Sequence, residues 1–258
     1  MVRIIFFRIL SVIIFGIMYL FTAVMVLIGL PFIFLGRNRI VSTMMRFWAK
    51  GIFFILGKKI IVEGTENISD NLHFILVANH SSLFDIIAIV SLIPDLSWFG
   101  HERLLNIPVF RRVLLLTDYI AMKKTSHKNT REMISQLITK SKRRNIAIFP
   151  EGTRTLDGKI NDFYRGFIIL LRASSTINIL PLTLNGFYSL KPKNRSFIDF
   201  NAKLQITIHP PYTRESLIDR SDREIAEIIK GTIESSLING VNHYDMESVT
   251  ENYNSIKA

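Results

Sequence analysis

The chain has no cysteine among its 258 residues. A disulfide framework, a thiolate metal site and a thiol nucleophile are therefore excluded. Histidine is scarce as well, and none of the six histidines has the spacing of a metal-binding pair such as His-Glu-x-x-His. We expect neither a metal nor another cofactor. The length predicts one domain of catalytic size with at most a small additional segment.

Acidic residues are missing from the first 62 positions, which carry a formal charge of +8. The remaining positions carry only +3, because their acidic and basic residues nearly balance. The excess of positive charge is thus mainly a property of the N-terminal segment. A basic segment of this kind is typical of proteins that bind an anionic membrane surface.

Formal charge is also absent from residues 9–35, a run of 27 mostly apolar positions. A helix of that length is about 40 Å long, more than the roughly 30 Å hydrocarbon core of a bilayer requires. It could span with a tilt, or bend at Pro31 and return to the same side. Six basic residues follow the run up to position 59 and two precede it, so the positive-inside rule places the following domain in the cytoplasm. We predict a membrane protein of the bacterial inner-membrane type whose catalytic domain faces the cytoplasm.

Residues 39–55 form a second, amphipathic stretch. On a helix, Arg39, Arg46 and Lys50 share one face, and apolar residues such as Trp48 and Ile52 lie largely opposite. The pattern has two interpretations: a helix that lies on anionic lipid, or a core helix whose basic face is exposed to solvent. The neighbouring apolar run favours the lipid interpretation.

From residue 58 onward, short apolar stretches alternate with stretches of helical periodicity. Strands are predicted at residues 58–64, 73–79, 119–124, 145–152, 177–186 and 203–210, and helices at 82–92, 127–143, 164–175 and 222–238. The alternation predicts an α/β domain whose loops at the strand ends carry the chemistry. The expected organisation is a membrane-anchoring segment at 1–57, a catalytic domain at 58–240 and a polar tail at 241–258.

The stretch "FILVANHSSLFDII", residues 74–87, places His80 and Asp85 just after a predicted strand. Ser82 is a candidate N-cap for the next helix, and Asp85 is the acidic partner of a capping box. That interpretation explains Asp85 but leaves His80 without a function. If His80 precedes the helix and Asp85 lies in its first turn, the carboxylate can accept from one imidazole nitrogen and leave the other free as a base.

The stretch "NIAIFPEGTRTLDG", residues 145–158, predicts a strand followed by a tight polar turn. A glycine such as Gly152 lets backbone N–H groups approach a ligand, and Arg154 offers a planar fork suited to phosphate. A surface turn with a solvated arginine is the structural alternative. Further along, Pro181 lies inside a predicted strand, which implies an edge strand or a bulge.

Four blocks in this order resemble the glycerolipid acyltransferases of the lysophosphatidic acid acyltransferase type: "NHSSLFD", "LLNIPVF", "FPEGTR" and "ILPLTLNG". The resemblance covers roughly residues 58–211. It implies an α/β fold with a mixed sheet flanked by helices and an N-terminal membrane helix or helical hairpin. It also implies His80 as the catalytic base and Asp85 as its partner. The substrate-binding residues implied are Asn79, Arg103, Lys123, Glu151, Gly152, Thr153 and Arg154, with Glu151, Gly152 and Arg154 at the glycerol phosphate of the acceptor.

Some positions depart from the family pattern, and they affect the expected acceptor. Where the family often has lysine, glutamate and glycine around the Ile-Pro block, this chain has His101, Arg103 and Arg111. Lys123 stands where an arginine is frequent, and a lysine cannot supply a bidentate fork. A modified head-group pocket, and an acceptor such as a lyso-ornithine lipid, are therefore open alternatives.

The resemblance implies transfer of an acyl group from acyl carrier protein or coenzyme A to a lysophospholipid, with 1-acylglycerol 3-phosphate as the first candidate and phosphatidic acid as its product. The expected partners are membrane lipids and the thioester donor. A serine hydrolase is disfavoured because no Gly-x-Ser-x-Gly stretch is present. Nucleic-acid binding through "KSKRR", residues 140–144, is disfavoured because the run ends a predicted helix. A non-enzymatic lipid-binding protein is the remaining alternative, and no oligomeric state is predicted.

Overall fold

A seven-stranded sheet organises the part of the chain that the structure, a computed structural model, describes: residues 2–69, 72–106, 111, 114–115, 117, 119–122, 135, 138–139 and 144–238. The strands are β1 (Ile60–Glu63), β2 (Phe74–Ala78), β3 (Leu96–His101), β4 (Ile120–Met122), β5 (Asn145–Ile148), β6 (Asn178–Asn185) and β7 (Leu204–Ile208). Their order across the sheet is β1-β7-β6-β2-β5-β3-β4. Only the β6–β7 pair is antiparallel among these. The sheet is mixed, which confirms the predicted fold class.

Helices cover both faces of this sheet. Those whose bounds fall within the described residues are α1 (Val2–Phe34), α2 (Asn38–Ile55), α3 (Phe84–Leu92), α4 (Gly166–Ala173), α5 (Phe187–Leu190), α6 (Arg214–Leu217) and α7 (Asp222–Ser235). Strand β2 is buried at all five positions. Its alternate side chains enter two cores: Phe74, Leu76 and Ala78 pack with α2 and α3, whereas Ile75 and Val77 pack with α4 and α7. A strand covered on both faces needs no polar alternation, which explains its continuous apolar sequence.

Helix α2 packs into the protein core. Its Ala49, Ile52 and Phe53 are buried in the cluster that also contains α3. Arg46 donates to the carbonyl oxygen of Leu92 at 2.9 Å, at the end of α3. The interpretation in which the apolar face of α2 contacts lipid is therefore wrong. Hydrophobic periodicity identifies a buried helical face, but it is the same whether protein or lipid covers that face.

Helix α1 packs on α2 and leaves a long apolar surface uncovered. Trp48 of α2 donates from its indole nitrogen to Thr22 Oγ1 at 3.0 Å. The exposed large apolar residues of α1 include Ile9, Val12, Ile13, Ile17, Leu20, Val24, Leu27 and Ile28. Within the described residues, α1 is the one helix long and apolar enough to cross a membrane by length and composition.

Several predicted elements compare directly with the structure. The predicted strands at 58–64, 73–79, 177–186 and 203–210 contain β1, β2, β6 and β7, and helix 222–238 contains α7. Strand β3 was not predicted, because its sequence "LSWFGH" has neither clear alternation nor a continuous apolar run. Most of the predicted helix at 127–143 lies outside the described residues. The proposed domain boundaries remain a prediction.

Pro181 lies in the interior of the sheet rather than in an edge strand, since β6 pairs with both β2 and β7. The predicted bulge is present. The His209 N–H donates to the Pro181 carbonyl at 3.0 Å, and Ile179 pairs with Tyr212. Between this pair and the Leu182–Ile208 pair, two residues of β6 (180–181) lie opposite three residues of the following chain (209–211). Pro181 faces the end of the β7 ladder, where its missing N–H costs least.

Candidate active site

The candidate site lies at the carboxyl edge of the sheet, where β2, β5 and β6 end. His80 and Asp85 follow β2, and the turn with Glu151 and Arg154 follows β5. The two strands pair in parallel, with Val77 opposite Ile148, so their following loops meet. In open α/β sheets this edge is where ligands bind.

His80 and Asp85 form a hydrogen-bonded pair. His80 Nδ1 lies 2.9 Å from Asp85 Oδ2. The side chain of Asp85 is fully buried, whereas that of His80 is 15% exposed. His80 Nε2 has no hydrogen-bond partner among the described residues, so it is free to act on a ligand. This is the geometry expected if His80 precedes the helix and Asp85 lies in its first turn.

The carboxylate of Asp85 also fixes the loop that carries His80. Asp85 Oδ2 accepts from the N–H groups of Ser81 at 2.6 Å and of Ser82 at 2.7 Å. The predicted capping box is only half formed, because the Ser82 hydroxyl oxygen accepts from the Phe84 N–H at 3.4 Å and not from the Asp85 N–H. The same hydroxyl donates to the Lys191 carbonyl at 2.7 Å. The residue at the N-cap of α3 is Leu83, which has no capping side chain. Asp85 therefore holds both the loop backbone and the imidazole.

An aromatic stack supports the other side of the imidazole. The His80 ring lies on the Phe149 ring, with centroids 4.1 Å apart and 16° between the planes. Phe149 in turn stacks on Trp98, with centroids 5.9 Å apart. This packing and the bond to Asp85 restrict the ring to one orientation. Phe149 is the first residue of "FPEGTR", but its sequence gave no reason to assign it this supporting position.

Glu151 connects the loop of His80 to the turn after β5 by hydrogen bonds. Its Oε1 accepts from the His80 N–H at 2.6 Å, and its Oε2 accepts from the backbone and side-chain nitrogens of Asn161 at 2.8 and 2.9 Å. Burial raises the pKa of Glu151, while these hydrogen bonds act in the opposite direction. Both oxygens are thus engaged within the chain. Contact of Glu151 with substrate stays a prediction. In the structure this carboxylate positions the His80 loop against the segment of Asn161.

The turn after β5 exposes the predicted phosphate-binding residues. The Gly152 N–H donates to the Phe149 carbonyl at 3.1 Å and closes the turn. Gly152 has φ +67, and a Cβ at this position would lie 3.1 Å from the Tyr164 ring, so glycine is required here. Thr153 is exposed and Arg154 is partly exposed. Arg154 forms no ion pair within the described residues.

The other predicted site residues divide into two groups. The Asn79 amide joins β2 to β6: its Oδ1 accepts from the Leu184 N–H at 2.8 Å, and its Nδ2 donates to the Leu184 carbonyl at 3.1 Å. Contact of Asn79 with substrate stays a prediction. Lys123 lies outside the described residues, as do the side chains of Arg103 and His101.

A cavity of about 650 Å³ adjoins the loop that carries His80. Asn79 and Ser81 line it, together with Tyr188 and Arg195. The Ser81 hydroxyl is buried and has no partner among the described residues. The segment from Phe187 to Arg195 was not predicted to take part in the site, because nothing in its sequence indicates that it returns to the loop of His80.

Comparison with known proteins places the chain in a family. A family model described as Acyltransferase matches residues 59–185. A 1-acyl-sn-glycerol-3-phosphate acyltransferase of Borreliella burgdorferi is 32% identical over 173 residues, which are 66% of this chain and 68% of the relative. This chain belongs to that acyltransferase family. The family membership expected from the four sequence blocks is confirmed.

Two further members of this family extend the comparison. A chloroplastic 1-acyl-sn-glycerol-3-phosphate acyltransferase of Arabidopsis thaliana is 26% identical over 201 residues, and the chain spans 56% of its length. The crystal structure of a 1-acyl-sn-glycerophosphate acyltransferase from Thermotoga maritima has a TM-score of 0.76 at 24% identity, over 88% of this chain and 95% of that chain. This structural likeness confirms the fold.

Proposed function

We propose that this protein transfers an acyl group from a thioester donor to the free hydroxyl of 1-acylglycerol 3-phosphate, giving phosphatidic acid. The observation that carries the proposal is the His80–Asp85 pair, in which Nδ1 is bound at 2.9 Å and Nε2 is free. Family membership supports acyl transfer as the reaction class. Acyl carrier protein and coenzyme A are the two candidate carriers of the donor.

The reaction follows from the free nitrogen. His80 Nε2 takes the proton of the acceptor hydroxyl as its oxygen attacks the thioester carbonyl carbon. A new C–O bond forms, the C–S bond breaks, and the thiolate leaves with the proton returned by the imidazolium. The buried carboxylate of Asp85 stabilises that imidazolium and fixes its orientation. No acyl-enzyme forms, so the absence of cysteine is consistent with the chemistry.

Helix α1 attaches the protein to the membrane surface without crossing it. Near its start, Ser11 Oγ accepts from the Ile198 N–H at 2.8 Å. Near its end, Gly29 lies beside the Met44 side chain of α2. Helix α2 is in turn joined to the domain, since Ser42 donates to Asp95 Oδ1 at 2.8 Å. The start of α1 thus contacts the domain directly and its end contacts it through α2, and the exposed apolar face of α1 enters the lipid. The basic N-terminal segment faces anionic head groups on the cytoplasmic side of the inner membrane, where the lyso-lipid arrives from the bilayer and the donor from water.

The first prediction concerns the catalytic pair. With purified protein in detergent and labelled acyl-CoA or acyl carrier protein, we expect label in phosphatidic acid. His80→Ala should abolish transfer, because the variant lacks the proposed base. Asp85→Asn should lower kcat by roughly 10²- to 10⁴-fold, because an amide keeps the loop hydrogen bonds but lacks the charge. His73→Ala is the matched control, since this histidine lies before β2 and outside the site.

A panel of other lyso-lipids, including lyso-ornithine lipid, tests the acceptor in the same assay. If the label enters another lipid instead and this labelling is lost in His80→Ala, the proposed mechanism stands and the proposed acceptor is wrong. Equal turnover of the unmodified protein and His80→Ala would overturn the mechanism. Lipid binding without transfer to any acceptor would favour a non-enzymatic lipid-binding protein.

A further inference from the structure

The segment after β6 returns to both loops of the candidate active site. The Ser82 hydroxyl donates to the Lys191 carbonyl at 2.7 Å, and Ser82 pairs with Pro192 in an antiparallel bridge. On the other side, Tyr188 Oη donates to the Leu156 carbonyl at 2.8 Å, in the turn that also carries Arg154. Lys191 is thereby held between the loop of His80 and the turn of Arg154.

The side chain of Lys191 is partly buried in a positively charged environment. Its pKa lies below the ordinary lysine value, first because of burial and then because of the charges of Arg195 and Arg154. Within the part of the chain that the structure describes, its ammonium group donates to the Pro192 carbonyl alone, at 3.3 Å. No carboxylate of the described residues pairs with Lys191 or with Arg154. These two cations therefore lack a counter-ion within the described chain.

Arg195 is the third cation beside Lys191 and Arg154, and its contacts are within the protein. It donates to the carbonyl oxygens of Leu190 at 2.8 Å and Phe197 at 3.1 Å, and its guanidinium lies 5.0 Å from the Phe197 ring centroid. These contacts fix the segment that presents Lys191. Its Nε and Nη2 donors are used within the chain, and its charge adds to the positive potential of the site.

We propose that Lys191 joins Arg154 to bind the phosphate of the acceptor lipid, and that Lys191 determines selectivity for an anionic head group. The inference rests on the proposed function and adds a residue that the sequence blocks do not contain. Arg154 supplies a planar fork for two phosphate oxygens, and Lys191 supplies a second, compact positive charge. A dianionic phosphate offsets the repulsion between the two cations, which makes binding favourable at this point.

Donors also carry phosphate groups, so the experiment must distinguish the two substrates. We would measure KM for 1-acylglycerol 3-phosphate and for the acyl donor in Lys191→Met, Lys191→Arg and the unmodified protein. Lys193→Met is the matched control, because Lys193 is exposed and two residues away. Monoacylglycerol serves as an acceptor without phosphate. Melting temperatures report folding, and Lys191→Gln repeats the test with a polar side chain.

We expect Lys191→Met and Lys191→Gln to raise KM for the phosphate-bearing acceptor by roughly 10- to 100-fold, as loss of a charged hydrogen bond predicts. Lys191→Arg should stay within a few-fold, and Lys193→Met, the donor KM and transfer to monoacylglycerol should not change. An unchanged acceptor KM, or a rise confined to the donor KM, would overturn the assignment while leaving the proposed function intact. Failure of the unmodified protein to transfer acyl groups to any acceptor would instead overturn the proposed function and this assignment with it.

Discussion

At the scale of single residues, the carboxylate of Glu151 connects the two loops of the candidate site, across 71 positions of the chain. One oxygen faces the His80 N–H and the other faces the donors of Asn161. A carboxylate is the side chain that can accept on both sides, whereas a glutamine of the same shape has one oxygen and one NH₂ group. The spatial relation between His80 and the turn of Arg154 therefore depends on both oxygens of Glu151 acting as acceptors.

We predict that Glu151→Gln lowers kcat and leaves the acceptor KM nearly unchanged. One of the two sides would then place N–H donors against an NH₂ group, which costs about 1–3 kcal/mol and shifts the His80 loop. Steady-state kinetics with both substrates, together with the free energy of unfolding, would measure these effects. A raised acceptor KM at normal kcat would instead indicate that Glu151 contacts the substrate directly.

At the scale of elements, a buried hydrogen-bond chain joins β6, the end of β7 and the end of α7. Thr183 Oγ1 donates to the Ile233 carbonyl at 2.8 Å, so it must accept from His209 Nε2 at the same distance. This arrangement assigns the proton of the neutral ring to Nε2. Burial lowers the pKa of His209 below its ordinary value of 6.5. The neutral form is thus the one that the folded protein accommodates.

We predict that His209 makes the free energy of unfolding depend on pH and that His209→Gln removes this contribution. Because the folded pKa lies below the unfolded one, the stabilisation is complete above about pH 6.5 and is lost as the pH falls toward the lowered pKa. Glutamine can donate to Thr183 but does not titrate. The free energy of unfolding, measured between pH 8 and 5, should fall more steeply in the unmodified protein, by up to about 1.4 kcal/mol per pH unit for one proton. Equal slopes for the two proteins would contradict the assignment of a neutral, buried ring.

At the scale of the whole molecule, the arrangement of α1, α2 and α3 determines how the protein meets a bilayer. Helix α2 lies between α1 and α3, and Phe7 at the start of α1 packs against Phe200, with ring centroids 5.7 Å apart. Near its end, α1 contacts α2 rather than the catalytic domain, and Ser42 of α2 in turn donates to Asp95 Oδ1 at 2.8 Å. We therefore expect both ends of α1 to lie on the same side of a membrane. We then expect the exposed apolar face of α1 to act as an interfacial anchor.

The absence of cysteine allows a direct test of this arrangement. Arg8→Cys and Arg37→Cys place single thiols at the two ends of α1, and both positions are exposed. In sealed membrane vesicles with the catalytic domain outward, we expect a membrane-impermeant maleimide to label both. In intact spheroplasts, where that domain faces inward, neither should react. Labelling of one thiol in each preparation would show that α1 crosses the membrane.

The sequence by itself determined the local features of this protein. The apolar run of α1, the alternation of strands and helices, and the pairing of His80 with Asp85 all depend on residues within one or two turns of each other. Such features follow from side-chain periodicity and from backbone geometry that the nearby residues fix. The family resemblance likewise depends on short blocks of contiguous residues.

Only the tertiary structure decided what lies against each of these features. It placed the apolar face of α2 in the protein core, gave Glu151 two partners within the chain, and brought Lys191 to Ser82 across 109 positions. Strand β3 owes its place to pairing with β4 and β5 rather than to its own pattern. Contacts between distant segments depend on how the whole sheet and its layers assemble, and a local pattern carries no information about that partner.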